Sequence, residues 1–165
     1  MAEADTFTAD DRAWMEQALA LAARAEAEGE VPVGAVVADG QSLLGSGWNR
    51  NVALHDPSAH AEIVALREAG RKRGNHRLPG CVLYVTLEPC AMCVSAAIHA
   101  RLDRVVFAAA DPKTGALGGA FDLTAVHAHN HAFAQQGGLY ADRAATILQE
   151  FFRSRRGRAG GGPLP

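Results

Sequence analysis

No apolar run in this sequence approaches the ~18 residues of a membrane-spanning helix, so no helical membrane span is expected. The acidic start Met1-Ala2-Glu3-Ala4-Asp5 lacks the shape of a signal peptide, and the expected location is the cytoplasm. Only three cysteines are present. An odd count makes no disulfide framework, and a close pair in the cytosol reads as a metal or redox pair. The net charge is only −2, so the whole molecule offers nucleic acid no electrostatic invitation; any such contact must come from local clusters. No internal repeat and no second domain are visible.

What the chain does have is the composition of one folded domain. Its 165 residues are 48% hydrophobic and 21% charged, enough for a proper core and unlike a disordered chain. One domain is expected over residues 1–156, followed by a disordered Gly/Pro-rich tail at 157–165. Base concentrates in Arg71-Lys72-Arg73 with Arg77, and more densely in Arg153-Ser154-Arg155-Arg156-Gly157-Arg158. The first cluster reads equally well as a solvated helix end; the second favours phosphate contact.

Local patterns predict an α/β fold. Thr8-Ala9-Asp10-Asp11 resembles a capping box and opens a helix to about Glu28, which Gly29 stops. Val31–Val37 and Leu43–Asn49 read as strands joined at Asp39-Gly40, a hairpin dipeptide. A polar loop through His55-Asp56-Pro57-Ser58 leads to a second helix from about Ala59 to Arg73, with Ile63, Leu66 and Ala69 inward. Cys81–Thr86 is a buried strand, Cys90–His99 a third helix, and Arg104–Ala109 a strand parallel to the one before it, because a helical crossover joins the two. The loop Asp111-Pro112-Lys113-Thr114-Gly115 then lies at the strand end where open α/β sheets bind ligands. Phe121–Val126 reads as a short helix and Ala132-Phe133-Ala134 as a short fifth strand. Tyr140, Ala144, Ile147, Leu148 and Phe151 keep helical spacing in a last helix.

The chemistry centres on Leu87-Glu88-Pro89-Cys90-Ala91-Met92-Cys93. Cys90 and Cys93 open a helix at the end of a strand, and at i, i+3 their sulfurs share a face. The positive end of the helix favours thiolate. Two thiolates make half a metal site, and His60-Ala61-Glu62 supplies a third ligand, His60, with Glu62 beside it as a carboxylate that is not a ligand. Three protein ligands leave a tetrahedral zinc open to water, as catalytic sites require. Residues i and i+2 do not share a helix face, so both helices must aim their first turns at the metal. With His60, Cys90 and Cys93 cancelling the metal's charge, a positioned base is needed, and Glu62 fits. The arrangement H-x-E with P-C-x-x-C is that of the zinc nucleobase deaminases.

Other readings stand beside this one. A C-x-x-C pair between strand and helix is also the thioredoxin arrangement. A purely structural zinc would need a fourth ligand, and His55, His76, His99 and Cys81 lack convincing spacing. His127, His129 and His131 alternate like a second metal site or like surface loop histidines. A zinc-stabilised RNA-binding subunit without catalysis would have no reason to keep Glu62.

With these residues in view, the sequence resembles the bacterial tRNA-specific adenosine deaminases. The resemblance runs from about Trp14 to Arg156. It is carried by Val31–Val36, Gly47-Trp48-Asn49, His55-Asp56-Pro57, His60-Ala61-Glu62-Ile63, Leu83–Cys93, Arg104–Phe107, Asp111–Gly115 and Phe151-Phe152-Arg153. It implies a three-layer α/β/α fold with a five-stranded mixed sheet sandwiched by helices, a homodimer, and one zinc per chain. It also implies deamination of adenosine to inosine at the wobble position of a tRNA anticodon stem-loop. Asn49 would contact the target base or ribose. Asp111 and the Lys113 loop would meet the anticodon loop, and Arg153, Arg155 and Arg156 could hold neighbouring phosphates. Asn49 reads equally well as a turn residue closing a strand. The chain departs from the family at Ala110 and at Ala128-His129-Asn130-His131, which bears on how RNA is held and leaves the metal untouched. A small-molecule deaminase acting on guanine, cytosine or a nucleoside would account for the zinc motif equally well and leave the terminal arginines idle.

Overall fold

A computed structural model describes residues 6–126 and 128–159. In chain order the elements are α1 (Ala9–Ala27), β1 (Gly34–Asp39), β2 (Ser42–Trp48), α2 (Asn51–Leu54), α3 (Ala61–Arg73), β3 (Val82–Leu87), α4 (Ala91–His99), β4 (Arg104–Ala109), β5 (Ala134–Gly137) and α5 (Ala141–Ala159). The sheet order is β2-β1-β3-β4-β5. β1 runs antiparallel to β2 and β3, whereas β3, β4 and β5 are parallel. The crossover through α4 therefore makes β3 and β4 parallel, as its length requires.

Strand alternation sorts the side chains into two cores. Ala35, Val37, Leu83, Val85, Val105 and Phe107 pack with residues of α3 and α4. Val36, Ala38, Tyr84, Val106 and Ala108 pack with Trp14, Met15, Ala18 and Leu19 of α1 and Ala144 of α5. Both faces of the sheet are thus covered, giving the expected α/β/α sandwich.

On the α1 side one polar cluster is buried. The capping box forms, with the Asp11 N–H donating to Thr8 Oγ1 at 3.0 Å and the Thr8 N–H to Asp11 Oδ2 at 2.9 Å. Asp11 is 2% exposed. It also accepts from Tyr84 Oη at 2.8 Å and from both terminal nitrogens of Arg104, at 2.8 and 3.1 Å. Burial alone would raise the Asp11 pKa, but the Arg104 guanidinium and the Thr8 N–H bring it down to about 2.

On the other face, α3 sits closer to the sheet than the apolar pattern suggests. A Cβ on Gly45 would lie 2.2 Å from the Ala65 carbonyl oxygen, and one on Gly47 only 2.4 Å from that of Ala61. The helix backbone therefore rests on β2, and Ala61, Ala65 and Ala69 are its buried apolar residues, with Ile63 and Leu66 half-buried at the side. Of the residues expected inward, only Ala69 is fully so, because glycines in the strand select the alanine edge of the helix. Gly47→Ala is expected to destabilise the fold by about 2 kcal/mol and to weaken metal retention, since α3 carries His60. A thermal melt and a zinc titration check both; an unchanged melting temperature would refute the close-contact argument.

Three local expectations shift. The polar loop after β2 contains one helical turn, α2. The fifth strand begins at Ala134, and Ala132 and Phe133 precede it. The last helix continues to Ala159, into the stretch expected to be a tail, while residues 160–165 lie outside the described residues. Phe121–Val126 contains a 3₁₀ turn at Leu123–Ala125.

Candidate active site

The expected convergence of two helix starts is realised at residue level. His60 is the N-cap of α3 and Cys90 the N-cap of α4, both in extended conformation. Because His60 precedes the helix, its ring and the Glu62 carboxylate escape the constraint of helical i, i+2 spacing. The hairpin positions this start: Asn49, directly after β2, accepts the Ala61 N–H on Oδ1 at 2.9 Å. Cys93 lies in the first turn of α4 and is fully buried.

The side chains present fit a zinc ion. His60 Nδ1 lies 3.6 Å from Cys90 Sγ and 3.6 Å from Cys93 Sγ. All three ligand atoms fall within 4.8 Å of one another. Tetrahedral zinc with ordinary Zn–N and Zn–S bonds separates such N and S atoms by about 3.6 Å. Among the described residues this is the group able to hold a metal. His129 and His131 instead place Nε2 against the carbonyl oxygens of Leu123 at 3.1 Å and Leu102 at 2.7 Å, and His127 lies outside the described residues.

The ligands perturb one another strongly. The Cys93 thiol donates to Cys90 and, with help from His60, draws the Cys90 pKa down to about 4 despite burial. The same hydrogen bond and burial push Cys93 up. Cys90 raises His60. A metal cation binding between the sulfurs would displace the thiol proton. A thioredoxin-type pair shares the lowered first cysteine, but has no use for a histidine at zinc–ligand distance from both sulfurs. Glu62 is 4% exposed; burial raises its pKa, opposed by the Cys93 thiol and its own N–H.

A cavity of about 220 Å³ opens onto these groups, lined by Asn49, His60, Glu62 and Cys90 and walled by Val31, Val33, Asp111 and Thr114. A groove of about 880 Å³ adjoins it through Val31 and Asn51, which line both. Lys113, Arg153, Arg155 and Arg156 line the groove together with Val52, Phe151 and Phe152. Four of the cations expected to meet substrate are therefore gathered beside the metal ligands. Two of the expected contacts are also engaged in the fold. Asp111 accepts the N–H groups of Lys113 at 2.9 Å and Thr114 at 3.2 Å and the Thr114 hydroxyl at 2.8 Å. Arg155 bonds the Gly29 carbonyl oxygen and lies over the Phe151 ring. In the other basic cluster Lys72 donates to the Leu43 carbonyl oxygen and Arg73 to Asp39, each at 2.6 Å.

Two buried acids beside the site were not singled out from the sequence. Glu30 accepts the Val52 and Ala53 N–H groups at 2.9 and 3.3 Å and so anchors α2. Glu88 is 3% exposed and accepts N–H groups from the loop after β4. Their partners lie more than twenty residues away, where no local spacing rule reaches. The only available signal for Glu88 was a charged residue at the end of an otherwise apolar strand.

Comparison with known proteins agrees with this geometry. Residues 8–109 match the family profile of the cytidine and deoxycytidylate deaminase zinc-binding region. A tRNA-specific adenosine deaminase of Haemophilus influenzae is 46% identical over 147 residues, covering 88% of this chain and 85% of that protein. A solved chain from a study of A-to-I editing by tRNA:A34 deaminases at the wobble position of transfer RNA is 40% identical. It has a TM-score of 0.80 and covers 82% of this chain and 99% of that one. A guanine deaminase from Nitrosomonas europaea, 30% identical, has a TM-score of 0.72 and covers 91% of this chain and 88% of that one.

Proposed function

The chain belongs to the tRNA-specific adenosine deaminases of the cytidine and deoxycytidylate deaminase zinc-binding family, and we propose that it converts adenosine to inosine at the wobble position of a tRNA anticodon loop by zinc-dependent hydrolysis. The observation that carries this reading is the base-sized cavity over Glu62 and the metal ligands, opening into a groove with Lys113, Arg153, Arg155 and Arg156. A cavity of that size admits a flipped nucleobase, and the cations suit the flanking phosphates.

His60, Cys90 and Cys93 hold the zinc, which when bound supplies the Lewis acidity that activates water. Glu62 takes the proton of the attacking water as its oxygen bonds to the ring carbon bearing the amino group. It delivers that proton to the adjacent ring nitrogen, then takes the remaining proton from the added hydroxyl and passes it to the amine. The carbon–nitrogen bond breaks, ammonia leaves, and a carbonyl remains. The Asn49 amide, its oxygen committed to the Ala61 N–H, has its nitrogen for base or ribose. Asp111 shapes the Lys113 loop against the anticodon.

The test is incubation of zinc-loaded protein with an anticodon stem-loop bearing wobble adenosine, beside free adenosine, guanine and cytosine. Inosine in the stem-loop alone is the expected result. The likeness to the guanine deaminase favours a second reading, and ammonia from a free base with an inert stem-loop would establish it. A homodimer in the cytoplasm completes the proposal. Ile63, Leu66, Ala96 and Ala100 form an apolar cleft between α3 and α4 suited to a second copy, and sedimentation at the mass of two chains is expected. No helix among the described residues is long and apolar enough to cross a membrane.

A further inference from the structure

Glu88 ends up between two parts of the site that are remote in sequence. It directly follows β3 and is separated from the ligand Cys90 by a single proline. Its Oε1 accepts the Asp111 N–H at 3.3 Å, and its Oε2 accepts the N–H groups of Leu117 at 3.1 Å and Gly119 at 2.9 Å. The same loop is tied to the metal-bearing segment through the Ala116 N–H, which donates to the Pro89 carbonyl oxygen at 2.9 Å.

Two glycines make room for the carboxylate. A Cβ on Gly115 would lie 2.1 Å from Glu88 Oε2, and one on Gly119 2.5 Å from Oε1. A buried carboxylate is held in place only when its oxygens are satisfied, and here the donors are three backbone N–H groups of one loop. That loop presents Asp111 and Thr114 to the base-sized cavity and Lys113 to the cationic groove.

We propose that Glu88 is a positioning residue for substrate recognition: its carboxylate clamps residues 111–119 at a fixed distance from Cys90, setting the Lys113 loop in register with the metal. The inference rests on the proposed RNA substrate and adds a division of labour. Glu62 serves the reaction, while Glu88, which also borders the base-sized cavity, has its carboxylate oxygens committed to the loop. Glutamine in its place keeps one acceptor and turns an amide donor toward one of the loop's N–H groups, so the clamp loosens while the strand end and Cys90 keep their positions.

The experiment is Glu88→Gln, assayed on the stem-loop with zinc content and amide hydrogen exchange measured on the same preparation. The expected result is a KM for the stem-loop raised about tenfold with kcat held within about twofold, zinc retained as in the parent, and faster exchange confined to residues 111–119. A global loss of packing would accelerate exchange throughout the sheet and leave no such split. A fall in kcat at constant KM, or unchanged exchange in the loop, overturns the proposal. Should Glu88→Gln fail to fold, Gly115→Ala, whose added carbon meets the Glu88 carboxylate first, crowds it from the loop side and is read by the same measurements. If the parent protein leaves the stem-loop unchanged, the functional reading falls by itself, and the exchange data still decide whether Glu88 holds the loop.

Discussion

Glu62→Gln is expected to lower turnover of the stem-loop by a factor of about 10³ while zinc binding stays at the level of the parent protein. The substitution preserves size and removes the ability to accept and return a proton. Glu62 is buried beside Cys93 and His60 yet is not one of the three groups set at metal-ligand distances, so its removal leaves the ligand set whole. Measuring single-turnover inosine formation together with zinc content separates the two roles. A glutamine variant that retains activity would remove Glu62 from the mechanism. One that loses zinc would make it part of the metal's support.

The second large effect lies on the opposite face of the sheet. Asp11→Asn is expected to cost about 2 kcal/mol of stability at neutral pH and to lower the melting temperature by about 6 °C. The Asp11 pKa is depressed, from an ordinary 3.8 to about 2. The charged form therefore stabilises the fold fully above the ordinary value, and the contribution is lost as pH falls through the folded one. Parent and variant should differ most above about pH 4 and converge toward pH 2. Asparagine leaves the Arg104 guanidinium, whose side chain is 23% exposed, without its counter-charge and weakens the acceptor for Tyr84. Thermal melts over this pH range supply the check. A constant difference down to pH 2 would show that packing, and not charge, is what Asp11 contributes.

Elements defined by short-range rules were legible in the sequence. The Thr8 capping box, the Asp39-Gly40 turn and β4 follow from neighbouring residues, and the metal ligands follow because zinc demands particular atoms at particular spacings. α2 was missed because four residues before a His-Asp-Pro loop carry no periodicity; its stability comes from Glu30, which is distant in sequence. On α3 apolar spacing points to Ile63 and Leu66 as well as Ala69, and of these only Ala69 is fully buried. The decisive information lay in Gly45 and Gly47 on another element. β5 begins later than local pattern suggests, because Ala132-Phe133-Ala134 looks more strand-like than Ala134-Gln135-Gln136-Gly137. Gln136 earns its position through a hydrogen bond from Arg104 at 2.8 Å, a pairing that no local pattern announces.

The contact of α3 with β2 also shapes how this site can be damaged by mutation. Most core lesions arise when a large side chain is cut back and leaves a void. Where α3 meets β2 there is almost nothing to cut back. The helix rests on glycines through Ala61, Ala65 and Ala69, each fully buried. Truncation there removes at most a methyl group, whereas any added carbon meets backbone. The seam between α3 and β2 is thus nearly immune to shrinking substitutions and intolerant of growing ones. Inherited variation at these positions should be confined to the exchange of glycine, alanine and serine.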